Sequence, residues 1–371
     1  MTRDLDEVGS TNVHRLFRIP LQPQTQETDM NTWKTKIAAL ALAVSASVAA
    51  HAQEVTLRLH QFLPPQGNVP AKALVPWAKR IEEQSKGRIK IQIYSSMQLG
   101  GTPAQLYDQA RDGVVDMAWT LPGYTPGRFP KSEVFELPFM ASLSAEKTSR
   151  ALWDYVQKNA MDEYKEVQVL AVHTHGPGLF HTKAPVIGLE SLRGMKIRGG
   201  TRIVNNMLSK LGATPVGIPV SGVTEALSKG VLDGTTIPWE VVPAFKVQEL
   251  ARNHTTFAGD RALYVTTFVL AMNKSAYNKL PTDLKKVIDD NSGQEFSVLL
   301  ARTSDDGDIL GRDLTAKLGN KITVLEPAEV QRWRRTAGAV ESDWVKEMQS
   351  KGIDGAKLLS EAKALVAQYD K

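Results

Sequence analysis

The sequence predicts an α/β fold built as two domains. Strand-like and helix-like patterns alternate from Val55 onward, which is typical of sheets whose strands are joined by helical crossovers. The chain has 371 residues, of which 42% are hydrophobic and 23% are charged, so it can bury two cores. A long helical pattern near the C-terminus is apolar at both ends and polar between them, which suits packing against two separate cores.

The first half of the chain has a strand–helix–strand order. Val55, Leu57 and Leu59 alternate with polar residues and predict a strand, whereas Trp77 and Ile81 fall at helical spacing. Three more strands and two more helices are predicted before residue 177: strands at 89–93, 113–119 and 167–176, a helix from Thr102-Pro103 through Ala110, and a helix capped by Ser144.

The second half continues the alternation with shorter elements. Residues 194–198 predict a strand, and residues 199–212 predict a helix that Gly199 and Gly200 open. Residues 262–273 form the most strand-like segment, because they are rich in β-branched side chains. The other elements are an extended segment at 214–219 and a helix at 223–230.

One helical pattern then runs from Leu284 to Leu318, with apolar residues at three- and four-residue steps. Its middle, residues 301–308, is polar and contains Gly307. The pattern leaves two alternatives open: one long helix that spans both domains, or two helices with a turn near Gly307.

Composition excludes several classes of function. Basic and acidic residues number 45 and 40 and are interspersed, so the net charge of +5 does not indicate a nucleic-acid partner. The chain has no cysteine, which excludes disulfides, thiolate nucleophiles and cysteine-ligated zinc or iron–sulfur sites.

The N-terminal region predicts export through a cleavable signal peptide at residues 30–52. A positive segment begins at Met30, an apolar run covers 37–50, and Ala50-His51-Ala52 matches a cleavage site before Gln53. The alternative, a membrane-spanning helix, is disfavoured because the apolar run is too short. We interpret residues 1–29 as an upstream extension and Met30 as the expected start.

Motifs for enzymatic chemistry are absent from the sequence. There is no G-x-S-x-G elbow, no phosphate-binding GxxxxGK[ST] loop and no H-E-x-x-H pair. His173 and His175 would share one strand face and could bind a metal with His181, but no carboxylate pattern accompanies them. We therefore expect that the protein binds no metal and no cofactor and that it is not an enzyme.

Arg198 is the strongest candidate for binding chemistry. A guanidinium offers a planar fork of donors that matches a carboxylate, and Gly199 and Gly200 leave space beside it. The alternative, a solvated strand-end arginine before a glycine turn, stays open from residue chemistry alone. Trp119, Tyr124 and Trp239 lie at strand-to-loop junctions, as expected for a concave site with flat apolar walls.

Together these segments resemble the solute-binding proteins of tripartite ATP-independent periplasmic (TRAP) transporters. The resemblance covers residues 54–365, and the order and spacing of several blocks carry it: VTLRLHQF, SSMQLGG, GVVDMAW, RFPKSEVFELPFM, SLRGMKIR, GATPVGIP, ALSKGVLDGTTIPWE and MNKSAYNKLPTDLKKVI.

The resemblance implies a periplasmic-binding-protein-like fold: two α/β domains around an interdomain cleft, joined by hinge strands and by a long helix that spans both. We expect residues 53–175 with 264–303 in domain I, and 176–263 with 304–371 in domain II. Such proteins close on a carboxylate-bearing solute and deliver it to a membrane permease. The family's carboxylate-binding arginine falls on Arg198.

Departures from the family pattern restrict the class of ligand that we expect. Where sialic-acid-binding members carry a second arginine, a glutamate and an asparagine, this chain has Gly178 or Leu179, Leu121 and Ile237. Sugar acids would leave buried hydroxyls unpaired, at a cost of about 1–3 kcal/mol each. Dicarboxylates are disfavoured because no second arginine is evident in the pocket blocks.

We therefore expect a receptor for a small organic monocarboxylate with a flat or apolar body, such as an aromatic or branched 2-oxo or 2-hydroxy acid. Two other classes stay open: a periplasmic enzyme on an acidic substrate, and a sensory component that presents its ligand. The expected partners are the permease subunits, and we expect no nucleic-acid partner. The expected oligomeric state is a monomer. Nine residues are expected to bind the ligand: Arg198, Trp119, Trp239, Phe180, Ile237, Val220, Tyr124, Gln61 and His175.

Overall fold

Two mixed β-sheets organise the computed structural model, which describes residues 54–371. We call the part built on the first sheet lobe I and the part built on the second sheet lobe II. The expected extension at 1–29 and the signal peptide at 30–52 lie outside the described residues. The assignment of segments to two domains stays a prediction, since residues 53–371 cluster as one compact unit.

The lobe I sheet has the strand order β2-β1-β3-β10-β4. β1 pairs in parallel with β2 and β3, whereas β10 arrives from lobe II and runs antiparallel to β3 and β4. The five strands are β1 (Val55–Gln61), β2 (Ile89–Tyr94), β3 (Met117–Thr120), β4 (Val167–Thr174) and β10 (Thr267–Asn273).

The lobe II sheet has the strand order β11-β9-β5-β8-β6-β7. β6 lies between two parallel partners, and β5 runs antiparallel to β8 and β9. The six strands are β5 (Leu179–Thr182), β6 (Lys196–Gly199), β7 (Thr214–Gly217), β8 (Gly234–Ile237), β9 (Asn253–Phe257) and β11 (Lys321–Leu325).

Helices cover both sheets, as crossovers between parallel strands require. The α-helices are α1 (Val75–Gln84), α2 (Leu106–Arg111), α3 (Ala145–Asn159), α4 (Arg202–Lys210), α5 (Val223–Ser228), α6 (Val247–Leu250), α7 (Lys274–Lys279), α8 (Thr282–Asp290), α9 (Gln294–Lys317), α10 (Pro327–Ser350) and α11 (Gly355–Tyr369). A π-helical turn, Pro70–Leu74, leads into α1. Short 3-10 turns occur at Pro103–Gln105, Pro122–Tyr124, Ser132–Glu136, Met161–Tyr164, Leu189–Leu192, Val220–Gly222 and Trp239–Val241.

The long helix α9 contacts both lobes. It packs on α3 and β4 of lobe I and on the 3-10 turn Trp239–Val241 of lobe II. Its 24 residues correspond to a length of about 36 Å at 1.5 Å per residue. The C-terminal helix α11 packs on α3 as well as on α10, so the C-terminal segment also touches both lobes.

The turn considered near Gly307 does not form, because the helical break lies instead at Gly293, between α8 and α9. Gly293 has a φ of 87°, a conformation that favours glycine. Gly307 is buried inside α9, where a Cβ would lie 2.5 Å from Asn68 Nδ2 and 2.8 Å from Glu240 Cβ. This glycine permits close packing and not a turn.

Two predicted elements are longer than the observed ones. The helix expected at 199–212 begins only at Arg202, because Thr201 caps it and its hydroxyl accepts the Val204 amide hydrogen. The strand expected at 262–273 begins at Thr267, and the residues before it cross from lobe II to lobe I. By contrast, the predicted caps Thr102 and Ser144 are confirmed.

The described residues share an interior apolar core. Buried apolar side chains from both lobes merge into one main cluster, to which α9 contributes Phe296 and Leu300. Within residues 54–371, no helix combines the length and the apolar character needed to cross a membrane.

Candidate functional site

A cavity lies where strands of both sheets reach their carboxyl ends, the usual place for a ligand in α/β folds. About 420 Å³ of space outside the protein atoms, part of it open to solvent, lies between its walls. Lobe I contributes residues after β1, β3 and β4, and lobe II contributes residues at the ends of β6 and β8. Arg198, Val220, Ile237, Tyr124 and His175, all expected from the sequence, line it.

The guanidinium of Arg198 is held in place by main-chain carbonyls. Arg198 lies in β6 and is only 4% exposed. Its Nε donates to the Ile218 carbonyl at 2.8 Å, and its Nη1 donates to the Thr236 carbonyl at 3.2 Å. A Cβ on Gly200 would lie 3.1 Å from Nη2, so this glycine leaves the outer edge of the fork uncrowded. The fork is therefore oriented before any ligand arrives.

Arg198 has no carboxylate partner within the described part of the chain. Its hydrogen bonds go to uncharged carbonyls, whereas the partly exposed Arg202 pairs with Glu133 and Glu347. A buried charge without a counter-ion is unfavourable, and an incoming anion would offset that cost. The arrangement can thus bind a carboxylate through two parallel charge-assisted hydrogen bonds.

The other titratable groups on the cavity wall favour their neutral forms. Burial lowers the pKa of His175 to about 4, and the nearby Arg198 adds to this effect. Burial raises the pKa of Glu240 to about 8, helped by the charge of Asp305. At neutral pH the cavity consequently presents one predominant charge, that of Arg198.

Two tyrosines flank the guanidinium. The hydroxyl of Tyr124 accepts the Val220 amide hydrogen at 3.2 Å and lies beside Arg198. Tyr264 lines the same cavity, and burial raises its pKa to about 12. A Cβ on Gly178 would lie 2.2 Å from ring carbons of Tyr264. Glycine at position 178, where a second arginine was considered, thus makes room for the Tyr264 ring.

A flat aromatic wall faces the rest of the cavity. Phe62 and Phe268 line it, and both rings stack on Trp119 with interplanar angles of 3° and 14°. Trp119 is fully buried behind them, and its Nε1 donates to His173 Nε2 at 2.9 Å. Trp119 therefore supports the wall, and the structure does not place it on the cavity surface.

Three further expected residues lie away from the cavity surface. Phe180 packs against Phe257 and Trp333. The side chain of Gln61 is buried, and its amide exchanges hydrogen bonds with the main chain of Leu63, which fixes the Phe62 loop. The ring of Trp239 packs edge-to-face on His181 and borders an outer groove.

Several cavity residues escaped the sequence analysis. Tyr264, Thr266 and Phe268 fall in the segment predicted as one continuous strand, which hid the fact that its first part crosses between the lobes. Glu240 was not among the nine expected ligand contacts. The other lining residues outside the nine expected contacts are Phe62, Leu63, Leu121, Gly200, Thr236, Pro238 and Val241.

Two aspartates on α9 connect the cavity wall to both lobes. Asp305 accepts hydrogen bonds from the amides of Ala145 and Glu146 at the start of α3 in lobe I. Asp308, one turn later, accepts the Glu240 amide hydrogen at 2.7 Å in lobe II. A Cβ on Gly176 would lie 2.0 Å from Asp308 Oδ2, so the chain crossing after β4 needs glycine there.

The described residues contain no cluster of three or more histidine, aspartate or glutamate side chains that could hold a metal ion. The three histidines considered for a metal have other neighbours. His173 accepts from Trp119, His175 contacts the main chain of Gly176 and Thr266, and His181 lies against His254.

Residues 61–350 match the family described as bacterial extracellular solute-binding protein, family 7. The chain is 51% identical to a TRAP solute-binding protein from Rhodoferax ferrireducens solved with copurified benzoate; the match covers 85% of this chain and 98% of that one, with a TM-score of 0.83. A marine metagenome TRAP protein specific for aromatic acid ligands, solved with 3-hydroxybenzoate, is 47% identical over 86% of this chain and all of that one, with a TM-score of 0.84.

A third solved relative is more distant. The TRAP solute-binding protein of Bordetella bronchiseptica, solved with both enantiomers of mandelate, is 30% identical over 85% of this chain and 99% of that one, with a TM-score of 0.78. The family match spans most of the chain, and the two-lobed α/β fold with its long connecting helix agrees with it. The chain belongs to the family of TRAP transporter solute-binding proteins, the extracytoplasmic receptors for small organic acids.

Proposed function

We propose that this protein binds an aromatic monocarboxylate and delivers it to a TRAP permease. The observation that carries the proposal is the unpaired, pre-oriented guanidinium of Arg198 in a cavity with an aromatic wall. Arg198 supplies the single counter-charge that a monocarboxylate needs. Phe62 and Phe268 supply flat apolar surface for the ring.

Two further points support an aromatic ligand over a sugar acid or a dicarboxylate. Leu121, Ile237 and Val241 contribute apolar side chains to the lining, and these cannot hydrogen-bond the several hydroxyls of a sugar acid. The relatives that are 51% and 47% identical were solved with benzoate and 3-hydroxybenzoate. Both molecules combine one carboxylate with a flat ring.

The remaining parts of the function follow from the same assignment. The chain is exported by the signal at residues 30–52, is released by cleavage after Ala52, and acts as a monomer in the periplasm. Its lobes close on the ligand and the closed form docks on the permease subunits. It releases the acid unchanged, so it acts as a receptor and not as an enzyme.

A thermal-shift screen of residues 53–371 tests the ligand class. Benzoate, hydroxybenzoates, mandelate, branched 2-oxo acids, succinate and a uronic acid would each be added at increasing concentration. A ligand at 100 times its Kd stabilises the protein by about 2.7 kcal/mol, which is a readable shift. We expect aromatic monocarboxylates to give the largest shifts. Shifts with succinate or the uronic acid alone would overturn the proposal.

Two arginine variants make the screen specific. Arg198→Ala should abolish the shift with every acid, because Arg198 is the only arginine that lines the cavity within residues 54–371. Arg193→Ala is the matched control, since this arginine is exposed and lies five residues earlier in the chain. Equal loss of binding in both variants would contradict the role of Arg198.

A further inference from the structure

Glu240 is a second polar feature of the cavity. It follows Trp239 in the 3-10 turn after β8 and lines the cavity together with Arg198. The Thr236 carbonyl, which accepts from Arg198 Nη1, lies four residues before Glu240 on the same wall. This side of the cavity therefore carries the guanidinium of Arg198 beside Thr236 and the carboxyl group of Glu240 four residues later.

The carboxyl group of Glu240 is fixed and incompletely paired. Its backbone amide donates to Asp308, and its side chain lies beside Ser304 of α9. Oε2, however, is buried and has no hydrogen-bond partner within residues 54–371. A buried polar atom left without a partner costs about 1–3 kcal/mol, so a ligand group that reaches it would gain affinity.

The character of this carboxyl group limits what can bind it. With its pKa raised to about 8, the group is mostly protonated at neutral pH and can donate one hydrogen bond and accept others. A second ligand carboxylate would meet no second cation there, and the acidic neighbours Asp305 and Asp308 disfavour it. A neutral hydroxyl both donates and accepts, so it fits this environment.

We propose that Glu240 determines ligand specificity by hydrogen-bonding a ring hydroxyl of the aromatic acid held by Arg198. This inference rests on the proposed function, because it needs the carboxylate of the ligand at Arg198. The preferred ligand is then a hydroxylated aromatic monocarboxylate, and the unsubstituted acid leaves Glu240 Oε2 unpaired.

Calorimetric titration with benzoate, 3-hydroxybenzoate and 4-hydroxybenzoate tests the proposal. We expect at least one hydroxybenzoate to bind the wild-type protein about tenfold or more tightly than benzoate. In Glu240→Met that preference should fall to about one, because the ring hydroxyl loses its hydrogen-bond partner. Glu240→Gln keeps a donor and an acceptor and should retain part of the preference.

Glu136→Gln is the matched control. Glu136 is also buried with an unpartnered Oε2, but it does not line the cavity, so its substitution should leave the preference unchanged. An equal loss of preference in Glu136→Gln and Glu240→Met would overturn the assignment to Glu240.

The outcomes separate this inference from the proposed function. If neither benzoate nor a hydroxybenzoate binds, both proposals are wrong. If all three acids bind equally well, only the role of Glu240 is wrong. A crystal structure of the wild-type protein with the tighter hydroxybenzoate needs no variant: we expect the ring hydroxyl about 3 Å from Glu240 Oε2. A hydroxyl bonded elsewhere would overturn the inference.

Discussion

Asp305 and Asp308 lie one turn apart on α9 and accept backbone hydrogen bonds from opposite lobes. Asp305 holds the start of α3, and Asp308 holds the amide of Glu240 on the cavity wall. The same helix thereby fixes lobe I and one side of the ligand site. We therefore expect Asp305 to contribute mainly to stability and Asp308 to contribute mainly to ligand binding.

We expect Asp305→Ala to lower the free energy of unfolding by about 1–2 kcal/mol, the usual effect of losing a helix cap. Asp308→Ala should weaken ligand binding about tenfold, because it frees the Glu240 amide and loosens the wall at residues 237–241. Urea denaturation and calorimetric titration of both variants measure the two effects. The account fails if Asp305→Ala weakens binding as much as Asp308→Ala does.

Gly178 is required by the position of Tyr264. Gly178→Ala places a Cβ 2.2 Å from the Tyr264 ring, so we expect a loss of about 1–3 kcal/mol in unfolding free energy and weaker ligand binding. Gly338→Ala is the control, because no atom lies within 4 Å of its Cβ position in α10. That variant should be neutral or stabilising, as expected for alanine in a helix. Equal effects of the two substitutions in denaturation would contradict this packing.

Phe268 and Phe180 form a matched pair of buried phenylalanines. Phe268 lines the cavity and stacks on Trp119, whereas Phe180 packs on Trp333 away from it. We expect Phe268→Leu to weaken benzoate binding about tenfold, and Phe180→Leu to lower stability with little change in affinity. A comparable loss of affinity in Phe180→Leu would show that Phe180 contacts the ligand, as the sequence analysis expected.

The buried acids make stability fall as pH rises above neutrality. Burial raises the pKa of Glu136 and Glu163 to about 7 and that of Glu240 to about 8, so the folded state keeps protons that the unfolded state loses near pH 4.5. Burial also lowers the pKa of His173 and His175 to about 3 and 4, which weakens the fold below pH 6.5.

The unfolded-state histidines titrate around pH 6.5 and are mostly neutral by about pH 7.5, so above that pH only the acids act. We therefore expect the free energy of unfolding to decline between about pH 7.5 and 8.5, and Glu240→Gln to make that decline shallower. Urea denaturation across this range measures the slope. A rising slope in the wild-type protein would contradict the proton balance.

The sequence contains enough to predict the fold and to single out Arg198 as a candidate. The alternation of strands and helices predicts the sheets, whereas the glycines after Arg198 leave its role open and the family resemblance points to carboxylate binding. The family resemblance adds the cleft and the long helix. These features depend on local residue patterns or on short sequence blocks, and both can be recognised in the sequence without a structure.

The rest of the site depends on contacts between distant segments. Phe180 and Phe268 are equally apolar in the sequence, and only the pairing of β5 and β10 decides which ring meets the cavity. Gly307 resembles a turn residue, although it serves close packing against Glu240. The contact between Gly178 and the ring of Tyr264 likewise cannot be predicted from the sequence, because the two residues are far apart along the chain.

The central claim is that Arg198 binds the ligand through its carboxylate. Calorimetric titration of the wild-type protein with benzoate and with benzamide tests it most directly, because the two molecules share size and ring but differ in charge. We expect benzamide to bind at least about 100-fold more weakly, since a neutral amide cannot offset the buried guanidinium charge. Benzoate and benzamide binding with equal affinity would contradict the account.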